Sequence, residues 1–331
     1  GQIWYNSTSG TFKSIVAGAA WSSGSPMTTA RRALGGAGTQ TATLGFGGDS
    51  GPPGLNELNS TEEYNGSGWS TGGNLATART ALTGAGTQTA AIAMGGRTAP
   101  TKQVTTTEEY GGASWTAGGA MGTARRYLAG TGTLTAGLVF GGGTGGAPGA
   151  SIAQTATEEY DGSSWTAGGA LNTAGQSTQG SAGTQTAALY FGSSPDTDGT
   201  ESYNGSSWTN VANLNTARAS GSGFGIQTAA VYAGGPTSIT ATETYDGTSW
   251  STSPATLGTA RYNAKGQGSS SAGIYFAGAP TPGGKSTTTE EYNFTVNTVT
   301  AGAWASGGAM GTARYGISGV GPQTAALGAM G

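Results

Sequence analysis

Two residue types are missing from this chain altogether: it holds no cysteine and no histidine. The first absence removes disulfides, thiol catalysis and thiolate metal sites. The second removes Ser–His–Asp hydrolysis and histidine-ligated zinc or iron. Charge is scarce too. Only 9% of the 331 residues are Asp, Glu, Lys or Arg, and the formal net charge is −3. That balance offers no electrostatic footprint for nucleic acid. No apolar run reaches the roughly 18 residues of a membrane span, so direct membrane insertion is not expected.

What is present is glycine, 65 residues of it, without a Gly-X-Y period. Aromatics make up 8% of the chain and recur at fixed spacing, which distinguishes the chain from a disordered glycine-rich segment without anchors. The repeat is plain in TEEYNGSGWSTGGNLATAR at 61–79 and TEEYGGASWTAGGAMGTAR at 107–125. A second block follows each copy, as in TQTATLGFGG at 39–48 and TLTAGLVFGG at 133–142. Trp21, Trp69, Trp115, Trp165, Trp208 and Trp304 each precede Arg31, Arg79, Arg125, Gly175, Arg218 and Arg314 by ten residues, and Trp250 precedes Arg261 by eleven. Seven units of 43 to 53 residues result.

Each unit parses into four short strands. Strand a, rich in Ala and Gly, follows Thr-Ala-Arg; strand b ends in Gly-Gly; strand c carries Thr-Glu-Glu-Tyr; strand d starts at the Trp. Asn65-Gly66 and Asp161-Gly162 between Tyr and Trp are hairpin signals, because both residue types tolerate positive φ. Period and composition predict propeller blades with Tyr and Trp wedged between them.

The order Arg, Gly-Gly, Tyr, Trp resembles the kelch repeat, along the whole chain. The resemblance implies an all-β, seven-bladed β-propeller of kelch-like four-stranded blades, similar to the central domain of galactose oxidase. On this reading residues 1–331 are one domain, with full blades starting near 31, 79, 125, 175, 218 and 261. Closure is expected from a seventh blade shared between the termini, 314–331 plus 1–28, since pairing the ends removes open sheet edges.

Ten of the eleven glutamates lie in the Tyr motif and six of the nine arginines in the Thr-Ala-Arg motif. Side chains repeated in nearly every blade point to framework, with Arg and Glu satisfying each other or nearby backbone. Neighbouring strand residues face opposite ways, so the two carboxylates of Glu62-Glu63 diverge. Gly175 replaces Arg in one copy while Ile3 replaces the first Glu in another, so no fixed pairing follows. The charges outside the motifs concentrate in the b–c connections: Asp49, Glu57, Arg97, Lys102, Asp196, Asp198 and Lys285. These are candidate binding-rim residues on one end of the ring, or drift in unconstrained loops. The long c–d segments 11–19 and 294–302 offer Phe12, Ile15, Val16, Phe294, Val296 and Val299 as a candidate docking or oligomerisation patch; a local extended hairpin pair is the plainer reading.

The galactose-oxidase copper site needs two His ligands and a Cys-linked Tyr, which this chain lacks. The sequence assigns no catalytic residue, cofactor or metal. A two-carboxylate glycosidase is the remaining enzymatic reading, with Asp49, Glu57, Asp196 and Asp198 as its spare acids. The expected role is non-enzymatic. Near-identical Gly/Thr/Ser/Ala-rich copies resemble kelch-like proteins of marine bacteriophages, which implies a virion-surface or appendage protein that recognises a host-surface glycan or other virion proteins. The alternative is a bacterial extracellular adhesin or lectin-like protein.

Overall fold

A computed structural model describes residues 3–6, 11–51, 56–99, 102–145, 151–176, 180–236, 239–280, 282, 284–300, 318–320 and 327–329. Side chains are described from 18 to 295. The described residues are strands, turns and loops, with no helix among them.

The chain divides into two compact units, Gly18–Thr295 and Gly1–Ala17 with Val296–Gly331. The larger is a β-propeller of six blades. Blade I is Gly35–Thr39, Ala42–Phe46, Thr61–Tyr64 and Trp69–Gly72 as strands a to d. Blade II runs from Thr83–Gly86 to Trp115–Ala117, blade III from Ala129–Thr133 to Trp165–Ala167 and blade IV from Ser181–Gly183 to Trp208–Val211. Blade V runs from Ser222–Ile226 to Trp250–Ser253. In blade VI strands Lys265–Ser269, Ala272–Phe276 and Thr289–Thr300 are followed across the sheet by Thr11–Gly24. The inner strands touch in cyclic order, and Lys265–Ser269 meets Gly35–Thr39 to close the ring.

The local reasons are legible. Strand b is flanked by sheets on both sides, so Ala91–Met94 is buried at every residue, the continuous pattern of a doubly covered strand. In strand c, Thr61, Glu62 and Tyr64 are buried and Glu63 is half-buried. Asn65 Oδ1 accepts the Ser67 and Gly68 amides at 3.0 and 2.9 Å and sets the c–d turn, where Gly66 has φ +87°. Gly38 and its five counterparts in strand a hold φ between +101° and +116°. A Cβ at each would overlap a carbonyl oxygen at the start of strand b or one residue before it, so glycine is required there.

Side chains staple each blade to the one before it. The Trp Nε1 donates to the first Thr of the preceding strand c around the whole ring: Trp115 to Thr61, Trp165 to Thr107, Trp208 to Thr157, Trp250 to Thr200, Trp21 to Thr242 and Trp69 to Thr289, at 2.9 to 3.1 Å. Gln88, Gln185 and Gln227 reach back from their a–b turns to carbonyls of the preceding blade. Gln40 does the same across the closure, to Gly273 and Tyr292. Phe46 meets Trp115 and Phe140 meets Trp208 with ring centroids 4.8 and 4.7 Å apart.

These bonds correct the expected closure. The ring has six blades, not seven, and the described residues of 314–331 and 1–28 form no shared blade. Trp21 marks the outer strand of the blade that begins near Arg261. Its bond to Thr242 repeats the register of the other five. A ring closes when its wedge angles complete a turn, and side-chain volume between sheets sets each angle. Counting copies cannot supply that angle. The smaller unit pairs Ile3–Asn6 with the start of Thr11–Gly24, Tyr5 opposite Phe12, and holds a separate two-stranded sheet of Ser318–Val320 and Leu327–Ala329. Trp304 and Arg314 lie outside the described residues.

Candidate functional site

The repeated charges form two sets of bonds. The first Glu of each strand c turns into its own blade. Arg31 Nη2 reaches Glu62 Oε1 at 2.7 Å, while Nη1 donates to the carbonyls of Gly47 and Ser60 at 3.0 and 2.9 Å. Arg79 and Arg125 repeat this on Glu108 and Glu158, and Arg218–Glu243 and Arg261–Glu290 complete the series. Burial pulls the guanidinium pKa of Arg31, Arg79 and Arg125 below its ordinary value, and the carboxylate pushes back. The second Glu faces the next blade, as the divergence of adjacent side chains predicts. Glu291 accepts the Tyr64 hydroxyl at 2.6 Å, Glu63 that of Tyr110 at 2.5 Å and Glu159 that of Tyr203 at 2.5 Å. Burial, aided by that carboxylate, pushes these tyrosines up to about 12. Ser202 and Thr244 replace the second Glu in blades IV and V, so the Glu–Tyr bond is not repeated there.

Blade IV breaks the first set. Gly175 stands in the arginine position, and among the described residues Glu201 keeps its backbone donors alone, the amides of Asn172 and Thr173 at 2.8 and 2.9 Å. It is 3% exposed, and burial raises its carboxyl pKa against those two bonds. Tyr190, opposite Glu201 in the strand register, has its hydroxyl where a Cβ on Gly175 would fall. Beside them opens a cavity of about 380 Å³, whose wall also includes Thr197, Asn210 and Asn213. It lies at the end of the ring that carries the b–c and d–a loops.

The sequence-expected rim residues occupy that same end, but they do not form one site. Asp49 is buried against Arg32 at 3.2 Å and accepts the Thr80 hydroxyl. Glu57 lies 3.6 Å from Arg97, both side chains covered. These three therefore act as struts between loops. Lys102 is exposed on a short hairpin with Thr98. Asp196 and Asp198 are exposed in the b–c loop of blade IV, where Asp196 Oδ1 caps the Ala219 amide at 2.8 Å. Lys285 is half-buried in blade VI. Of the docking candidates, Phe294 is 40% exposed. The side chains of Phe12, Ile15, Val16, Val296 and Val299 lie outside the described residues.

Two residues of consequence escaped the sequence reading, Glu201 and Lys265. Glu201 was grouped with the framework, although the unmatched Gly175 in its own copy was the signal. Lys265 begins the inner strand of blade VI, where the other blades have Gly, Thr, Ala, Gly and Ser. It is 2% exposed and lines an axial cavity of about 160 Å³ walled by inner-strand glycines. Burial alone lowers its pKa to about 8.

Among the described residues no group of three or more acidic or other metal-ligating side chains could hold a metal ion, and no helix is long and apolar enough to cross a membrane. The fold is thus a six-bladed, mostly four-stranded antiparallel propeller whose framework charges are paired in every blade but one. No protein-family model matches this chain, and no curated protein matches it.

Proposed function

We propose that this chain is a non-enzymatic recognition propeller, and that the face carrying the b–c loops is its binding face. One observation carries the reading. The repeated Arg and Glu charges are engaged in the framework, whereas the exposed charges outside the repeated c–d turns, Lys102, Asp196 and Asp198, sit in the loops that differ most between blades. A constant scaffold with one diversified rim is how rigid folds present binding residues. The cavity of blade IV opens on that face.

The kelch-like order of Arg, Gly-Gly, Tyr and Trp supports placing the chain among kelch-type propellers. The resemblance to repetitive bacteriophage proteins supports a virion-surface or extracellular setting, with a host-surface glycan or a neighbouring virion protein as the ligand. A glycan array probed with the whole chain tests the first ligand. The expected result is a restricted set of sugars whose binding falls when Asp198→Asn and Lys102→Met are introduced. No sugar bound, together with no stoichiometric presence in purified particles, overturns the reading.

A further inference from the structure

In five blades the space above the first Glu of strand c is filled by a guanidinium of the chain itself. In all five it pairs with Oε1, and in blades I to III it also donates to the two carbonyls that flank the b–c loop. In blade III these are Gly141 and Ala156, at 2.9 and 2.7 Å from Arg125 Nη1. The strand register makes Gly192 and Gly199 their counterparts in blade IV. Blade IV retains the rest of the seat: the carboxylate, the amide donors that orient it, and the paired loop ends, where the Gly192 amide donates to the Gly199 carbonyl at 3.3 Å. The arginine is missing, and Tyr190, whose hydroxyl lies where a Cβ on Gly175 would fall, stands where blade III has Val139. No guanidinium or ammonium of the described residues pairs with Glu201, a buried carboxylate. A buried charge without a counter-charge is costly. The space beside it has an open mouth, and Glu201 and Gly199 both stand on its wall.

We propose that the blade IV cavity is a guanidinium-binding site. A guanidinium from outside the chain enters the cavity walled by Thr197, Asn210 and Asn213, and its N–H groups reach Glu201 Oε1 and the Gly199 carbonyl. It takes the bonds that Arg125 makes in blade III. Planarity and several donors in a fixed fork suit this seat better than an ammonium, which is a compact point charge. The chemistry is common to a small guanidino compound and to an arginine side chain of a partner protein. The site stands apart from the proposed recognition of a glycan, since its readout is the cation alone.

Methylguanidinium at low millimolar concentration is the probe, with methylammonium at equal ionic strength as the control. Binding is followed by calorimetry and by the amide resonances of Asn172 and Thr173. The intact chain should bind methylguanidinium saturably and prefer it to methylammonium. Glu201→Gln should weaken binding by about tenfold or more, the loss expected for a hydrogen bond to a charged group. Gly175→Arg with Tyr190→Val rebuilds the blade III arrangement, in which Val139 faces Glu158, and should abolish binding because an internal guanidinium fills the seat. Should that double variant not fold, the Glu201→Gln comparison and the wild-type resonances still decide. A blocked Gly-Arg-Gly peptide separates the sources: binding by the peptide places an arginine of a partner in the site, and binding by methylguanidinium alone places a small guanidino compound there. Absence of saturable binding by either probe, or equal affinity in the wild type and Glu201→Gln, overturns the proposal.

Discussion

In blade III the Arg125 guanidinium rests on Glu158, with both side chains buried. In blade IV, the next wedge of the ring, Gly175 and Glu201 hold the same backbone positions with no cation between them. The surrounding bonds are alike: each carboxylate accepts an amide from the preceding loop, and each blade's Trp donates to the Thr of its neighbour. The difference shows that the propeller does not need the ion pair in every wedge. Aromatic wedges and strand pairing hold blade IV, where a cavity lies beside Glu201 and the Tyr190 hydroxyl takes the place of a Cβ on Gly175. Losing both volume and charge at one place turns a framework position into a candidate site.

The comparison breaks or sharpens on matched substitutions. The largest effect is expected for Glu158→Gln, which leaves the buried Arg125 alone and should cost about 3–5 kcal/mol in chemical denaturation. The same change at Glu201 should cost about 1 kcal/mol or less, since only an amide bond is weakened. Equal costs at the two positions would falsify the claim that blade IV lacks the pair's energetics.

Lys265 tests whether burial of a lone charge is costly elsewhere in the ring. Its folded pKa lies near 8, below the unfolded lysine value of about 10.4. Between these values the unfolded chain binds more protons, so stability should rise as pH climbs through that window. Lys265→Met should remove the slope and add on the order of 2 kcal/mol at neutral pH. A flat wild-type profile from pH 8 to 10 would show that the ammonium is solvated.

Thr157→Val and Thr200→Val strip the Trp acceptors of blades III and IV. Each should cost about 1–2 kcal/mol by leaving an indole N–H unsatisfied. Matching costs would confine the difference between the two blades to the arginine seat; a large mismatch would spread it over the wedge. The smallest effect belongs to Glu201 itself. Burial raises its pKa in the folded state, so the folded chain binds the extra proton. Stability should therefore decline gently as pH rises above the ordinary glutamate value of about 4.3, and Glu201→Gln should abolish that decline. A slope that survives the substitution assigns it to another carboxylate.

Much of the architecture was readable from residue order. The Trp-to-Arg spacing, the Asn-Gly turns and the opposed faces of Glu62 and Glu63 are local facts, governed by strand period and turn stereochemistry, and the blades beginning near 31, 79, 125, 175 and 218 follow them. Whether Asp49, Glu57 and Arg97 point outward was not readable, because loops from neighbouring blades turned them toward partners. Gly175 was visible as a break in the pattern, but its meaning required knowing that the arginine of each copy pairs with that copy's first Glu.

The sequence by itself determined the repeating unit: four strands, an aromatic wedge, and glutamate and arginine at fixed places, without fixing which meets which. Those depend on neighbours a few residues away, where backbone geometry leaves little choice. The number of blades, the recruitment of Trp21 to close the last one, and the empty seat above Glu201 were decided in three dimensions. Each depends on how sheets of particular thickness pack around an axis. That is a property of the assembled wedges and of no single copy.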